Sequence, residues 1–95
     1  MLFIIYAKDK PGALDLRMET RAAHLEYVAE TGDAIKIAGP MLADDGETLI
    51  GSMLIIDFES REEAEQWAAL DPYARAGLFE SVEITPWKWL IGTPQ

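Results

Sequence analysis

The side chains of this sequence best suited to proton transfer are its only histidine, His24, and an aspartate that precedes a proline, Asp71. Imidazole is the one side chain that ordinarily titrates near neutral pH, so any general base here is expected to be His24. A carboxylate that accepts a hydrogen bond from one ring nitrogen would fix the tautomer and leave the other nitrogen free to move a proton. The pair therefore predicts acid–base chemistry if the two side chains meet, whereas an unpaired His24 would be an ordinary surface or core residue.

Four further polar side chains are candidates for binding a ligand: Arg17, Arg21, Ser52 and Tyr73. Arg17, Arg21 and His24 follow one another at helical spacings of four and three residues, so they project from one flank of a helix. Either guanidinium could bind a carboxylate or a phenolate-like oxyanion. The alternative is pairing with nearby acidic residues, which is favoured more for Arg17 than for Arg21. Ser52 and Tyr73 could orient a ligand by hydrogen bonds, or act only as a strand-start hydroxyl and a packing ring.

Composition excludes several other classes of site. No cysteine and one histidine are present, which rules out disulfides, thiolate chemistry and multi-histidine metal sites within a chain. Carboxylates could still bind a hard cation weakly, but no metal site and no cofactor are predicted. With 17 acidic and 8 basic residues the net charge is −9, and a nucleic acid or an anionic membrane surface would be repelled. We therefore predict a small-molecule ligand as partner, with no nucleic acid and no membrane. The apolar runs are short and lack a signal-peptide layout, which predicts a cytoplasmic protein.

Asp71 stands at the end of a helix whose start is clearly marked by a capping box, Ser60 to Glu63. The apolar face of that helix consists of Ala64, Trp67 and Ala68. Asp71 falls on the same face, and Pro72 stops the helix there. A carboxylate directed toward a core must be paired or hydrogen-bonded, because burying it bare is very costly. Asp71 and Pro72 also predict the N-cap and first residue of a short further helix closed by Gly77, and the two interpretations are compatible.

The elements that would position these side chains alternate in a regular order. Strands are predicted at 1–7, 34–41, 52–58 and 79–91, with helices at about 13–31 and from Ser60 to Pro72. The second of these strands is expected to be interrupted at Gly39-Pro40. The first helix carries a narrow apolar stripe that we expect to face the sheet, with His24 at its boundary: Leu14, Met18, Ala22, Leu25 and Ala29. Strand, helix, strand, strand, helix, strand is the ferredoxin-like split βαβ order. We predict one α+β domain over residues 1–95 with a four-stranded antiparallel sheet.

Two helices can cover only one face of such a sheet, yet its strands carry large apolar residues on both faces. Trp87 and Trp89 add to the uncovered face. An apolar sheet face of this kind does not stay open on a soluble monomer, and a second copy is the simplest cover. The sequence therefore predicts a homodimer through the open sheet face. Since both helices share the other face, contact between His24 and Asp71 is geometrically available.

Several short stretches together match one known pattern. They are MLFIIYAKDKPGAL at the start, the R-x-x-H of Arg21 and His24, AGP at 38–40, GS at 51–52, DPY-x-x-AG-L-F at 71–79 and V-x-I-x-P-W-K at 82–88. In this combination the chain resembles the YciI-like proteins over nearly its whole length, with Trp87 where phenylalanine is usual. The resemblance implies a dimeric α+β barrel related to muconolactone isomerase and a histidine–aspartate pair at His24 and Asp71. It implies a reaction less firmly: one relative dehalogenates a chlorinated hydroxyquinol, and most members have no assigned substrate.

These observations predict a small enzyme that performs acid–base chemistry on a small anionic or phenolic organic molecule. His24 would transfer the proton, Asp71 would orient the imidazole and Arg21 would help to hold the substrate's negative oxygen. Isomerisation and elimination, including dehalogenation, fit best because neither needs a cofactor. The alternative is a module of the same fold without catalytic activity, which would bind a small ligand or a partner protein through the same residues.

Overall fold

The computed structural model describes residues 1–93 and forms a four-stranded antiparallel sheet with helices packed on one face. The elements in chain order are β1 (Leu2–Asp9), α1 (Leu14–Thr31), a 3₁₀ turn (Gly32–Ala34), β2 (Ile35–Leu42), β3 (Leu49–Asp57), α2 (Arg61–Leu70), α3 (Pro72–Arg75) and β4 (Phe79–Trp87). The strand order is β2-β3-β1-β4, and every neighbouring pair is antiparallel. The predicted ferredoxin-like α+β fold is confirmed.

The core lies between α2 and the two central strands. Phe3 pairs with Ile56 and Ile5 with Leu54 across β1 and β3, and all four side chains are buried on the helix-covered face. The face of α2 that meets them is made of small residues, chiefly Ala64, whose lack of bulk lets the helix approach the sheet. Val28 of α1 packs against the same cluster, so both long helices share one face of the sheet.

Helix α1 is rotated about its axis relative to the sequence-based prediction. The residues it buries are Arg17 and His24, whereas Leu14 is 43%, Met18 50% and Leu25 50% exposed. The prediction that the apolar stripe faces the sheet is therefore wrong. The physical reason is that the two buried polar residues find partners inside, and hydrogen-bonded polar groups can occupy a buried face that apolar periodicity alone would not assign to them.

The helix caps that the sequence predicts form at the start of α2 and at its junction with α3. The Ser60 hydroxyl accepts a hydrogen bond from the Glu63 backbone N–H at 3.2 Å. The Glu63 carboxylate reaches the backbone N–H of Glu59 at 3.3 Å rather than that of Ser60. Asp71 ends α2 and caps α3, because its Oδ1 accepts from the Tyr73 backbone N–H at 3.0 Å. Gly77 closes the segment with φ 78°, a conformation that favours glycine.

The edge strands differ from prediction in their lengths. β2 continues through Gly39 and Pro40, because an edge strand tolerates a proline. β4 ends at Trp87 instead of continuing to residue 91. Beyond it the Trp89 indole N–H donates to the Ile91 carbonyl at 2.9 Å, so the segment folds back on itself. The Trp87 and Trp89 rings lie 5.7 Å apart and contact each other, so Trp89 is not a second residue on one strand face.

The face of the sheet opposite the helices is apolar. It presents Ile4 and Tyr6 of β1 beside Ile55 and Met53 of β3, and Tyr6 is 40% exposed. Ile37 of β2 lies in the same layer opposite Ile55 and is also 40% exposed.

Among residues 1–93, no helix is long and apolar enough to cross a membrane.

Candidate active site

The predicted histidine–aspartate pair forms between α1 and the α2–α3 junction. His24 Nδ1 and Asp71 Oδ1 are 2.8 Å apart, and both side chains are buried. The distance falls within the range of about 2.6–3.2 Å expected for a working hydrogen bond of a general base. Helix α1 supplies the imidazole from its buried polar face, and the proline that stops α2 fixes the carboxylate at the turn.

One oxygen of Asp71 makes both of its hydrogen bonds. Oδ1 accepts from His24 Nδ1 and from the Tyr73 backbone N–H. The same oxygen therefore both pairs with His24 and caps α3. A carboxylate only accepts hydrogen bonds, so the proton between the two side chains belongs to His24 Nδ1. In the neutral ring Nε2 then carries a lone pair, and it has no hydrogen-bond partner within residues 1–93. This nitrogen is therefore available to accept a proton.

A second buried ion pair lies at the other end of the polar face of α1. Arg17 Nε donates to Asp9 Oδ2 at 2.7 Å, and Nη2 donates both to Asp9 Oδ1 at 3.0 Å and to Ser52 Oγ at 2.8 Å. Burial lowers the pKa of Arg17, but the hydrogen bond and charge of Asp9 outweigh it and raise that pKa above its ordinary value. Arg17 thus stays a cation whose charge is balanced by Asp9, the alternative favoured for it from sequence.

The Tyr73 ring lies between the two pairs. It stacks on the His24 ring with centroids 4.1 Å apart and planes 18° apart, and Arg17 Cζ lies 4.5 Å from the Tyr73 centroid. Arg17 and His24 are seven residues apart on α1. That spacing separates them by about 10.5 Å along the helix axis, which leaves room for one aromatic ring. Burial, opposed in part by the charge of Arg17, raises the pKa of the Tyr73 phenol above its ordinary 10. Tyr73 is therefore a neutral hydroxyl at ordinary pH and can donate a hydrogen bond.

These side chains line a cavity of about 330 Å³ between α1 and the β2–β3 half of the sheet. Every residue proposed from sequence for the site lines it except Asp71, which lies behind His24. Arg21 is exposed, and within residues 1–93 it makes no ion pair. The rest of the lining is largely apolar and includes Leu25, Val28, Pro40, Leu49 and Leu54. A cavity of this kind suits a small ring with polar substituents along one edge.

Sequence reasoning missed Asp9 and the apolar wall of the cavity. Asp9 has no role among the residues proposed from sequence, yet its side chain is only 6% exposed and it holds Arg17. The available signal was an acidic residue at the end of a strand, eight positions before an arginine on the following helix. Pro40 lies opposite Ser52 because β2 runs straight through the Gly-Pro pair, which the predicted interruption had excluded.

Fold and cavity together define a class of small α+β protein with a buried imidazole–carboxylate pair beside a ligand-sized cavity. The YCII-related domain family matches residues 1–88, and the chain belongs to this family. The resemblance inferred from sequence is confirmed.

Relatives of known sequence cover almost the whole chain. Protein YciI of Escherichia coli O6:H1 is 41% identical over 95 aligned residues, covering 93% of this chain and 97% of the relative. A protein of Haemophilus influenzae is 35% identical with the same coverage.

Two solved structures resemble this chain in different degrees. The 5-chloro-2-hydroxyhydroquinone dehydrochlorinase TftG of Burkholderia phenoliruptrix AC1100, in complex with 2,5-dihydroxybenzoquinone, is 38% identical with a TM-score of 0.85, covering 93% of this chain and 94% of that one. An antibiotic biosynthesis monooxygenase is 12% identical with a TM-score of 0.57, covering 95% of this chain and 99% of that one. The second likeness shows the fold alone. The first supports small-molecule enzyme chemistry on this fold.

Proposed function

We propose that the protein is a cofactor-independent enzyme that isomerises a small phenolic or otherwise anionic molecule or eliminates a leaving group from it. One observation carries the proposal. His24 is buried with Nδ1 held by Asp71, and its other nitrogen, Nε2, has no partner within residues 1–93 although the residue lines the cavity. A base must be held in one tautomer beside the space where the substrate lies, and His24 satisfies both conditions.

In an elimination, His24 Nε2 takes a proton from the substrate and Asp71 stabilises the imidazolium that forms. The electron pair left by the proton forms the new π bond, and the leaving group departs with the electrons of its bond to carbon. In an isomerisation, the same nitrogen returns the proton to another atom of the substrate. Arg21 holds the negative oxygen of the substrate, because it is the cation of this cavity whose charge is not balanced by a carboxylate.

The likeness to the dehydrochlorinase supports the elimination branch. That protein is described as acting on a chlorinated hydroxyhydroquinone and as binding a dihydroxybenzoquinone. Both are flat six-membered rings with oxygen substituents, which suit a cavity whose lining combines apolar side chains with Arg21, Ser52 and Tyr73. We therefore propose oxygen-substituted rings of this kind as the substrate class.

The proposal includes a homodimer formed through the sheet face opposite the helices. Ile4, Tyr6, Ile37, Met53 and Ile55 make that face apolar, and an apolar layer of this kind is stabilised by a matching surface. Light scattering at micromolar concentration should give twice the chain mass, and a stable monomer would contradict this part. The cytoplasmic location and the single domain over residues 1–95 stay predictions, and residues 94 and 95 lie outside the described range.

The enzyme proposal is tested by incubating the purified protein with 5-chloro-2-hydroxyhydroquinone and measuring chloride release. Wild type should accelerate release over buffer, His24→Gln should abolish the acceleration, and Asp71→Asn should reduce it. Asp44→Asn is the matched control because it removes an acidic charge from the exposed β2–β3 hairpin. Tight binding of the ring without turnover of this or related phenols would favour the ligand-binding module instead.

A further inference from the structure

The Ser52 hydroxyl is a cavity group whose hydrogen-bond direction is fixed by its neighbour. Ser52 is 4% exposed, and its Oγ lies 2.8 Å from Arg17 Nη2. A guanidinium has donors only, so Ser52 must accept in this contact. Its own hydroxyl proton is then free, and within residues 1–93 no acceptor receives it. Ser52 lines the cavity, so that proton is available to a ligand there.

Asp9 is what keeps Arg17 in this arrangement. Two of its carboxylate contacts, at 2.7 and 3.0 Å, hold Nε and Nη2 together, and the flat guanidinium also lies over the Tyr73 ring. A bidentate pair of this kind fixes both the position and the plane of the guanidinium. Asp9 itself does not line the cavity and cannot touch a ligand there. Any effect it has on the ligand must pass through Arg17 and then Ser52.

We propose that Asp9 is a positioning residue that, through Arg17, directs the Ser52 hydroxyl proton into the cavity and makes the part of the cavity beside Ser52 specific for an oxygen acceptor. A quinone carbonyl or a phenolate oxygen fits there, whereas a group that can only donate does not. Tyr73, kept neutral by its surroundings, supplies a second donor to the same cavity. The inference rests on the proposed function only in taking the cavity as the ligand site.

The arrangement also orients the ligand. Ser52 and Tyr73 offer donors to the cavity, while His24 Nε2 offers an acceptor. A ring that bears a carbonyl or phenolate oxygen at one position and a removable proton at another therefore binds with the oxygen at Ser52 and the proton toward His24. The acceptor requirement at Ser52 thus selects which proton of the substrate the base reaches.

The test is a double-mutant cycle on binding of 2,5-dihydroxybenzoquinone, measured by calorimetry on the full-length protein. Ser52→Ala should weaken the affinity about tenfold, the size expected for one lost hydrogen bond. Asp9→Asn should weaken it by a similar factor. If Asp9 acts through Ser52, the double variant should bind no more weakly than the weaker single variant. Asp44→Asn is the control for loss of an acidic charge and should match wild type.

Additive losses in the double variant would overturn the inference, because they would mean that Asp9 supports the cavity in a general way. Wild-type affinity in Ser52→Ala, or no binding by wild type, would also overturn it. If Asp9→Asn does not fold, Asp9→Glu replaces it: the longer carboxylate keeps the charge but displaces the guanidinium, and the same non-additivity is expected. Chloride release is a separate readout, so a chain that passes this cycle but releases no chloride disproves the proposed reaction alone.

Discussion

Two buried pairs, Arg17 with Asp9 and His24 with Asp71, flank the Tyr73 ring. They differ in whether a nitrogen that can accept a proton remains without a partner. Arg17 donates from Nε and Nη2 to Asp9 and from Nη2 also to Ser52. We call the Arg17–Asp9 pair the clamp, because it holds the guanidinium in place. His24 gives one nitrogen to Asp71 and keeps the other for the cavity. A side chain can act as a base only where an atom that can take a proton is left without a partner, and a guanidinium, which only donates, offers no such atom.

The largest expected effect lies on the histidine side. His24→Gln removes the proposed base but keeps a side-chain N–H that can donate to Asp71, so chloride release should fall about 10²- to 10⁴-fold, the usual contribution of general acid–base catalysis. The melting temperature should change little. Activity within threefold of wild type would contradict this contrast, because His24 would then have no larger part in the reaction than the Arg17–Asp9 pair.

The next effect should fall on stability and on the arginine side. Asp9→Asn leaves a buried guanidinium without its counter-charge, which should cost about 3–5 kcal/mol in the free energy of unfolding. Asp71→Asn should cost less, because an amide oxygen can still cap Tyr73. Urea unfolding of both variants measures the difference. If Asp71→Asn proved the more damaging, the assignment of clamp and reactive pair would have to be exchanged.

Arg21 sharpens the comparison as a cation with no carboxylate partner among residues 1–93. Because it is exposed and unpaired, Arg21→Ala should change the free energy of unfolding by less than about 0.5 kcal/mol, as is usual for surface positions. Binding of 2,5-dihydroxybenzoquinone should weaken about tenfold through loss of a charge-assisted contact. Arg21→Lys, which keeps the charge, should recover part of that affinity.

The smallest effect concerns alkaline pH. The pKa of Tyr73 is raised above its ordinary 10, so as pH rises through 10 the unfolded chain loses this proton before the folded one does. The stability it contributes is fully present below pH 10 and is lost as pH rises through the folded value. Melting curves between pH 9 and 11 should show a steeper decline for wild type than for Tyr73→Phe. Equal slopes would mean that burial of the phenol does not affect its titration.

The sequence predicted the order of strands and helices along the chain and the double use of Asp71, because both are set by local signals such as the capping box and the Asp-Pro pair. It predicted the contact of Asp71 with His24 from the sheet face that the two long helices share and from the family resemblance. It did not predict the rotation of α1. Apolar periodicity indicated Leu14, Met18 and Leu25 as the inner stripe, but the partners of Arg17 and His24 come from distant parts of the chain. Asp9 was missed for the same reason, since a buried ion pair is recognisable only when both partners are in view.

Each outer strand of the sheet contains one proline, Pro40 in β2 and Pro86 in β4. Proline is tolerated in a strand where its nitrogen would face solvent, so each outer edge lacks one N–H donor. A strand from another molecule that tried to extend the sheet would meet a gap in its hydrogen-bond ladder on either side. The two edges of the sheet are thereby protected against edge-to-edge aggregation, whereas the apolar face opposite the helices has no such protection.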